Sequence, residues 1–245
     1  MALRYPRAPA LSMLRAMSRL PVRLLIIDNA LDHTLYRPVE HWRRLTEHPC
    51  EHVHAPSGAP LPEPGAHDHV ILTGSEDSIT RLAPWAEAEL AWLRRAVALG
   101  VRVLGSCWGH QLIARALGGP GCVRRAARPE LGWIRVDVSA GGGLMPEGSF
   151  EAFSSHFDEV VAGSHPELRV LASTPACAVH ALRWGELPCW GIQAHPEIDP
   201  ESGRGFLAAG GSRWPEAAPL FAEALRQPVR DSGSAAELVR RFLAA

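Results

Sequence analysis

Lysine is missing from this chain of 245 residues, and all 25 of its basic residues are arginine. That absence removes the P-loop lysine, the Schiff-base lysine and the Ser–Lys dyad together, so any ATP-driven chemistry must be carried by another polypeptide. An excess of one charge is missing too. The formal net charge is −1 with acids and bases interspersed, which gives no electrostatic case for nucleic acid or a membrane surface and points to a small or neutral partner. No run approaches the roughly 20 apolar residues of a transmembrane helix. The five cysteines, odd in number and without a Cys-x-x-Cys pair, argue against a disulfide framework or a structural zinc site and suit a reducing cytoplasm. Residues 1–20 carry four arginines and no acid. They lack the continuous apolar stretch and cleavage site of an export signal, so they read as a disordered extension, with Met17 an alternative start.

What is present has the rhythm of an α/β fold. Residues 23–28 (RLLIID), 70–73 (VILT) and 101–104 (VRVL) are short apolar runs that read as buried strands. Residues 41–47 read as part of a helix, and another is expected over 84–99, where Pro84 suits the first helical position, Glu87 and Glu89 lie near the start, and Arg94 and Arg95 precede Gly100. Residues 55–65 (APSGAPLPEPG) read as a loop. Short apolar strands alternating with helices imply a parallel sheet covered on both faces. Between 122 and 193 the runs crowd together, at 133–138, 150–154, 169–172, 178–184 and 189–193, which suggests antiparallel additions to the same domain. Helices are expected again at 201–209, 215–226 and 235–243, so residues 21–245 read as a single domain.

The stretch VRVLGSCWGHQLIA, residues 101–114, sets one cysteine on the corner between a strand and a helix. Gly-x-Cys-x-Gly at that corner is a nucleophile elbow in outline, with cysteine in place of serine. The corner aims Cys107 out of the sheet edge near the partial positive charge of helical N–H groups, which favours thiolate, and the Trp108 N–H points where an oxyanion would form. A lone cysteine is more often simply buried; the elbow context favours the nucleophile. Its base is best sought in WGIQAHPEID, where His195 follows the strand 189–193 and Glu197 stands two residues on, able to orient the ring. His110, beside the elbow, reads as packing on its own helix. His52-x-His54 and His67-x-His69 lack the accompanying ligands of a metal site, so neither metal nor cofactor is expected. The arginine pairs at 43/44, 94/95, 124/125 and 240/241 read as solvated faces.

These residues carry a resemblance. Gly105-Ser106-Cys107-Trp108-Gly109-His110-Gln111 resembles the G-x-C-x-G-x-Q motif of the class I, triad-type glutamine amidotransferases, and Gly191-Ile192-Gln193-Ala194-His195-Pro196-Glu197 resembles their G-x-Q-x-H-P-E motif. ILTGSEDSI, residues 71–79, is similar to their oxyanion-strand loop, and SSHFDEV, residues 154–160, to their S-H-x-D-x-V segment. Order and spacing agree from about residue 22 to residue 200. The resemblance implies a flavodoxin-like three-layer sandwich, its mostly parallel central sheet extended by an antiparallel portion. It implies Cys107 as nucleophile, His195 as base and Glu197 as orienter. It further implies an oxyanion hole from the N–H groups of Gly74 or Ser75 and Trp108, and a substrate pocket formed by Gln111 and the backbone of Ser155, His156 and Phe157. Two departures stand out: Gly74-Ser75-Glu76 where synthase members often read Gly-Gly-Pro, and Ala194 where a large residue usually precedes the histidine.

The implied reaction is cysteine attack on a γ-glutamyl amide, glutamine or another γ-glutamyl compound, through a γ-glutamyl thioester. The likeness is to the glutaminase domain of GMP synthase and to standalone γ-glutamyl peptidases. No fused synthetase is expected after the region of resemblance, so an ammonia acceptor would sit on a separate synthetase subunit. The alternative is a γ-glutamyl peptidase acting alone on a larger substrate, and a binding or regulatory module without turnover is a third reading.

Overall fold

The computed structural model describes residues 22–245; the expected extension over 1–20 lies outside them. Nine strands form one sheet in the order β2-β1-β3-β4-β9-β8-β7-β5-β6. Its first half is β1 (Leu24–Asp28), β2 (Cys50–His54), β3 (His69–Leu72), β4 (Arg102–Ser106) and β9 (Cys189–Ile192), paired parallel throughout. The second half is β5 (Val123–Val138), β6 (Gly148–Val160), β7 (Leu168–Ser173) and β8 (Ala181–Trp184), paired antiparallel. Around it lie α1 (Pro38–Arg43), α2 (Pro84–Ala98), α3 (Trp108–Gly118), α4 (Pro200–Arg213), α5 (Ala218–Arg226) and α6 (Ala235–Ala244). No helix among the described residues is long and apolar enough to cross a membrane.

The period of two in a strand sorts the core into layers. In β1, Leu25 and Ile27 join Val70, Leu72 and Val103 under α2 and α3, which contribute Leu93, Val97, Leu112 and Ile113. Leu24 and Ile26 face the other way with Ile71 and Leu104, covered by Trp42 of α1 and by Leu238, Val239 and Phe242 of α6. Both faces are thus apolar and covered, as continuous hydrophobic runs in a parallel sheet require. A third cluster lies where α4 and α5 cover the β5–β6 hairpin through Trp133, Phe153, Leu207 and Phe221.

Four expectations need correction. The first helix is Pro38–Arg43 rather than 41–47, because it begins on Pro38, where a proline suits the first turn. The 55–65 loop opens with a 3₁₀ turn, Ala55–Ser57. Strand β2 is absent from the sequence reading, and β5 begins ten residues earlier than expected, at Val123 rather than 133. Finally, the arginine pairs are more than solvated faces. Arg94 donates to the Ala116 carbonyl at 2.6 Å and ties α2 to α3, Arg124 pairs with Glu159 at 2.7 Å, and Arg125 pairs with Asp158 at 2.9 Å.

Candidate active site

Strands β3, β4 and β9 lie side by side and end at one edge, the carboxyl edge where open α/β sheets bind their ligands. The chain turns sharply straight after β4, where Cys107 passes directly into α3. Cys107 takes φ 48° and ψ −105°, a conformation that L-residues avoid and that costs about 1–3 kcal/mol. Its N–H still donates to Ile192 of β9 at 2.8 Å, while its C=O already accepts from Gln111 at 3.1 Å as the first bond of α3. A Cβ on Gly105 would overlap the Gly109 carbonyl, and one on Gly109 would overlap the main chain of Leu72. Both glycines are there because the turn has no room for side chains. Gly109 instead donates to Thr73 at 3.1 Å, locking the start of α3 to the end of β3.

After β9 the chain delivers His195, whose N–H donates to Phe153 of β6 at 2.8 Å. Its Nδ1 meets Glu197 Oε1 at 2.8 Å, which leaves Nε2 free of the carboxylate, and Cys107 lines the same cavity as the ring. All three residues are at most 5 % exposed. Burial alone would push His195 down, but the facing Cys107 and Glu197 outweigh it and hold the imidazolium up to about 10. Burial likewise opposes the Glu197 carboxylate, and the charge and hydrogen bond of His195, with the Tyr36 hydroxyl, keep it below its ordinary range. Tyr36 donates to Glu197 Oε1 at 2.6 Å, and Ser106 Oγ reaches both carboxylate oxygens at 3.3 and 3.4 Å. Gly74 is needed for the same constellation: a Cβ there would stand 2.5 Å from His195 Cε1.

Cys107 and His195 open into a cavity of ≈ 510 Å³. Ser75, Gln111, Ser155, His156 and Phe157 line it, and Ser155 O accepts from Cys107 Sγ at 3.6 Å. Trp108 is the first residue of α3, where N–H groups have no intrahelical acceptor; its ring is buried 5.0 Å from that of Trp85. Gln111 spends its amide N–H groups on Asp158 O (2.8 Å) and Gln193 Oε1 (3.0 Å), bracing α3 against β6. The His156 side chain turns towards Glu130, at 3.0 Å, so of that residue only the main chain suits a substrate. His110 packs against Gly191 inside the core, where burial, then the neighbouring His180, push it down to about 3. Tyr36 and Phe153 belong to the cavity wall as well, with no signal in the sequence; so do Arg125, which reads there as part of a solvated pair, and Asp158, the acid of the S-H-x-D-x-V segment. Tyr36 sits 161 positions from Glu197, in a segment with no motif.

The class I glutamine amidotransferase family model matches residues 26–209 of this chain. The chain belongs to that family. Among curated relatives, a GMP synthase (glutamine-hydrolyzing) of Aeropyrum pernix is 36 % identical over 132 residues, which are 53 % of this chain and 24 % of that one. One subunit of the GMP synthase (glutamine-hydrolyzing) of Sulfolobus acidocaldarius is 41 % identical over 104 residues, 41 % of this chain and 53 % of that one. The match thus spans about a quarter of the first relative and about half of the second. In fold, the chain is similar to the crystal structure of a glutamine amidotransferase from Methylobacillus flagellatus, with TM-score 0.72, 24 % identity, and 92 % and 95 % of the two chains covered.

Within the amidotransferase fold, the departure at Glu76 has a visible consequence. Its Oε2 accepts from the Leu31 N–H at 2.7 Å, and burial pushes its carboxyl up, so a partly buried acid borders the cavity. The alternating histidines do not act in pairs: His52 meets Arg43, His67 meets Glu51, and His69 packs edge-on to Phe242, pushed down to about 4 by burial. Two other groups bring potential metal ligands within 4.8 Å of one another, Asp28–His33–His54 and Glu130–His156–His180. Each is already knit by hydrogen bonds, at 2.8 Å between His33 and Asp28 and 3.0 Å between His156 and Glu130.

Proposed function

We propose that this chain hydrolyses a γ-glutamyl amide, glutamine or a larger γ-glutamyl compound, through a thioester on Cys107. The observation that carries the reading is the strained corner at Cys107, opening into the same cavity as the His195 ring, with Glu197 behind that ring at 2.8 Å. The thiolate attacks the γ-carbonyl carbon, forming the C–S bond, and the oxyanion is held by the N–H groups of Trp108 and of Gly74 or Ser75. His195 gives its proton to the nitrogen as the C–N bond breaks. Water then attacks the thioester, His195 takes its proton, and the C–S bond breaks to release glutamate. Glu197 positions the imidazole and stabilises its charged form, while Tyr36 and Ser106 position Glu197. Arg81 and Glu76, and the paired Arg125 and Asp158, line the cavity and suit the charged α-carboxylate and α-ammonium of the glutamyl end.

The test is incubation with glutamine and with γ-glutamyl amides, reading ammonia and glutamate, alongside iodoacetamide labelling. Cys107 is expected to label faster than the more exposed Cys50, whose thiol burial pushes up. Equal labelling together with no turnover would mark a binding module rather than an enzyme. The relatives named as subunits of GMP synthase favour a second reading, in which ammonia passes to a separate synthetase polypeptide; brisk glutamine turnover by the chain alone would count against it. All five cysteines are free thiols, which fits a reducing cytoplasm.

A pH profile follows from the same geometry. The imidazolium persists until pH rises through about 10, so the alkaline limb of kcat/KM is expected near there. Glu197→Gln removes one of the charges that hold the proton, and is expected to move that limb down by about one unit or more while lowering kcat about 10²–10⁴-fold. An unmoved limb would mean that Glu197 does not act through His195.

A further inference from the structure

A glutaminase releases ammonia, which needs no room and no apolar surroundings. The cavity here offers both, and on the side where the amine departs. Because His195 delivers the proton to the leaving nitrogen, whatever that nitrogen carries must lie beside His195. From that ring a run of aromatic side chains leads away from the polar wall: Phe153 at 6.4 Å from His195, Phe206 at 5.9 Å from Phe153, and Trp214 at 5.8 Å from Phe206. Ile198 and Leu220 complete the lining on that side. Trp214 and Leu220 lie beyond the region that the family model matches, which ends at residue 209. At ≈ 510 Å³ the cavity is in the range that encloses drug-sized ligands. Of the described lining residues that follow His195 in the sequence, only Glu216 is acidic or basic. A leaving group bearing a carboxylate would meet like charge there.

Resting on the hydrolase reading above, we propose that the substrate is the γ-glutamyl amide of a primary amine with an apolar or aromatic body and no carboxylate, seated against Phe153, Phe206 and Trp214. The glutamyl end stays among Ser75, Arg81, Arg125 and Asp158. The amine's apolar body replaces water over the aromatic wall, so its binding energy is available while the C–N bond breaks.

The probes are γ-glutamyl-phenethylamide, γ-glutamyl-methylamide, γ-glutamylphenylalanine and glutamine, compared by kcat/KM with the full chain. The phenethylamide is expected to exceed both the methylamide and γ-glutamylphenylalanine by about 10-fold or more, the range in which apolar pocket contacts discriminate. Trp214→Ala is expected to collapse the phenethylamide-to-methylamide ratio towards one, and Trp214→Phe to restore much of it. Glu216→Gln is expected to raise γ-glutamylphenylalanine relative to the phenethylamide. Turnover of glutamine or the methylamide at least equal to that of the phenethylamide overturns this inference alone, as does a ratio unmoved in a folded Trp214→Ala chain. No turnover of any probe, glutamine included, overturns the hydrolase reading and this inference with it.

Discussion

Cys107→Ala is expected to lower γ-glutamyl amide turnover by about 10⁴-fold or more, because without sulfur no thioester forms and only positioning and oxyanion contacts remain. Loss of activity alone would not separate chemistry from folding, and the backbone at Cys107 supplies the separation. At φ 48° and ψ −105° the residue holds strain that only glycine relieves. Cys107→Gly is therefore expected to be as inactive as the alanine variant yet more stable than wild type. The gain is roughly 1 kcal/mol, the strain relief less the extra chain entropy that glycine loses on folding. Thermal or urea unfolding of the three proteins measures the gain, and ammonia or glutamate release measures the loss. A glycine variant that is both inactive and less stable would mean that the corner is not strained, and strain would no longer mark it as a functional site.

The parallel half of the sheet is legible because most of its strands are short apolar runs, β3 closed by Gly74 and β4 by the start of α3. The exceptions have physical causes. Strand β2 is the sheet edge, and its residues CEHVH are half-buried or exposed, so neither a buried run nor a clean alternation marks it. The early half of β5 reads VRRAARPELG, where Arg, Pro and Gly argue for a loop; the register shift between Arg125 and Glu130 is where the ladder absorbs Pro129. That segment matters, since it brings Arg125 to the cavity.

Of the site, what the motifs encode is local. Cys107, His195 and Glu197 each sit at the end of a strand whose apolar run announces it, and adjacent parallel strands bring such ends together. The supporting groups are legible only in three dimensions. Tyr36 follows a loop after β1 and reaches Glu197 across 161 positions, Phe206 enters from α4, and Trp214 from the link just past its end. Nothing in their spacing separates a residue that lines a cavity from one that fills a core.

Glu89 is the sharpest case of a residue whose sequence context misleads, and it carries the second large prediction. Near the start of a helix it reads as a surface acid favouring the helix dipole, yet it is fully buried, and only Glu87 holds the first-turn position. Its Oε1 accepts from Asn29 at 3.2 Å, and the Asn29 N–H donates to Thr73 Oγ1 at 2.9 Å, so the acid underpins the junction of β1 and β3 just before Gly74. Burial, only partly offset by Asn29, pushes its carboxyl up to about 8 from 4.5. Between those values the folded chain holds a proton that the unfolded chain has lost, so this contribution to stability is complete below pH 4.5, declines as pH rises, and is gone above about 8. The loss is about 5 kcal/mol at most. Glu89→Gln keeps the shape and the Asn29 contact without the titration. It is expected to match wild type near pH 5 and to melt about 10 °C higher at pH 9, whereas Glu87→Gln on the surface is expected to change little. Melting curves across that range decide it: a wild-type melting temperature that does not fall relative to Glu89→Gln would mean that the buried carboxyl ionises freely. If the expected curve is found, the floor beneath Gly74 has already weakened by about pH 8, before His195 loses its proton near 10, so two independent groups act in turn as pH rises.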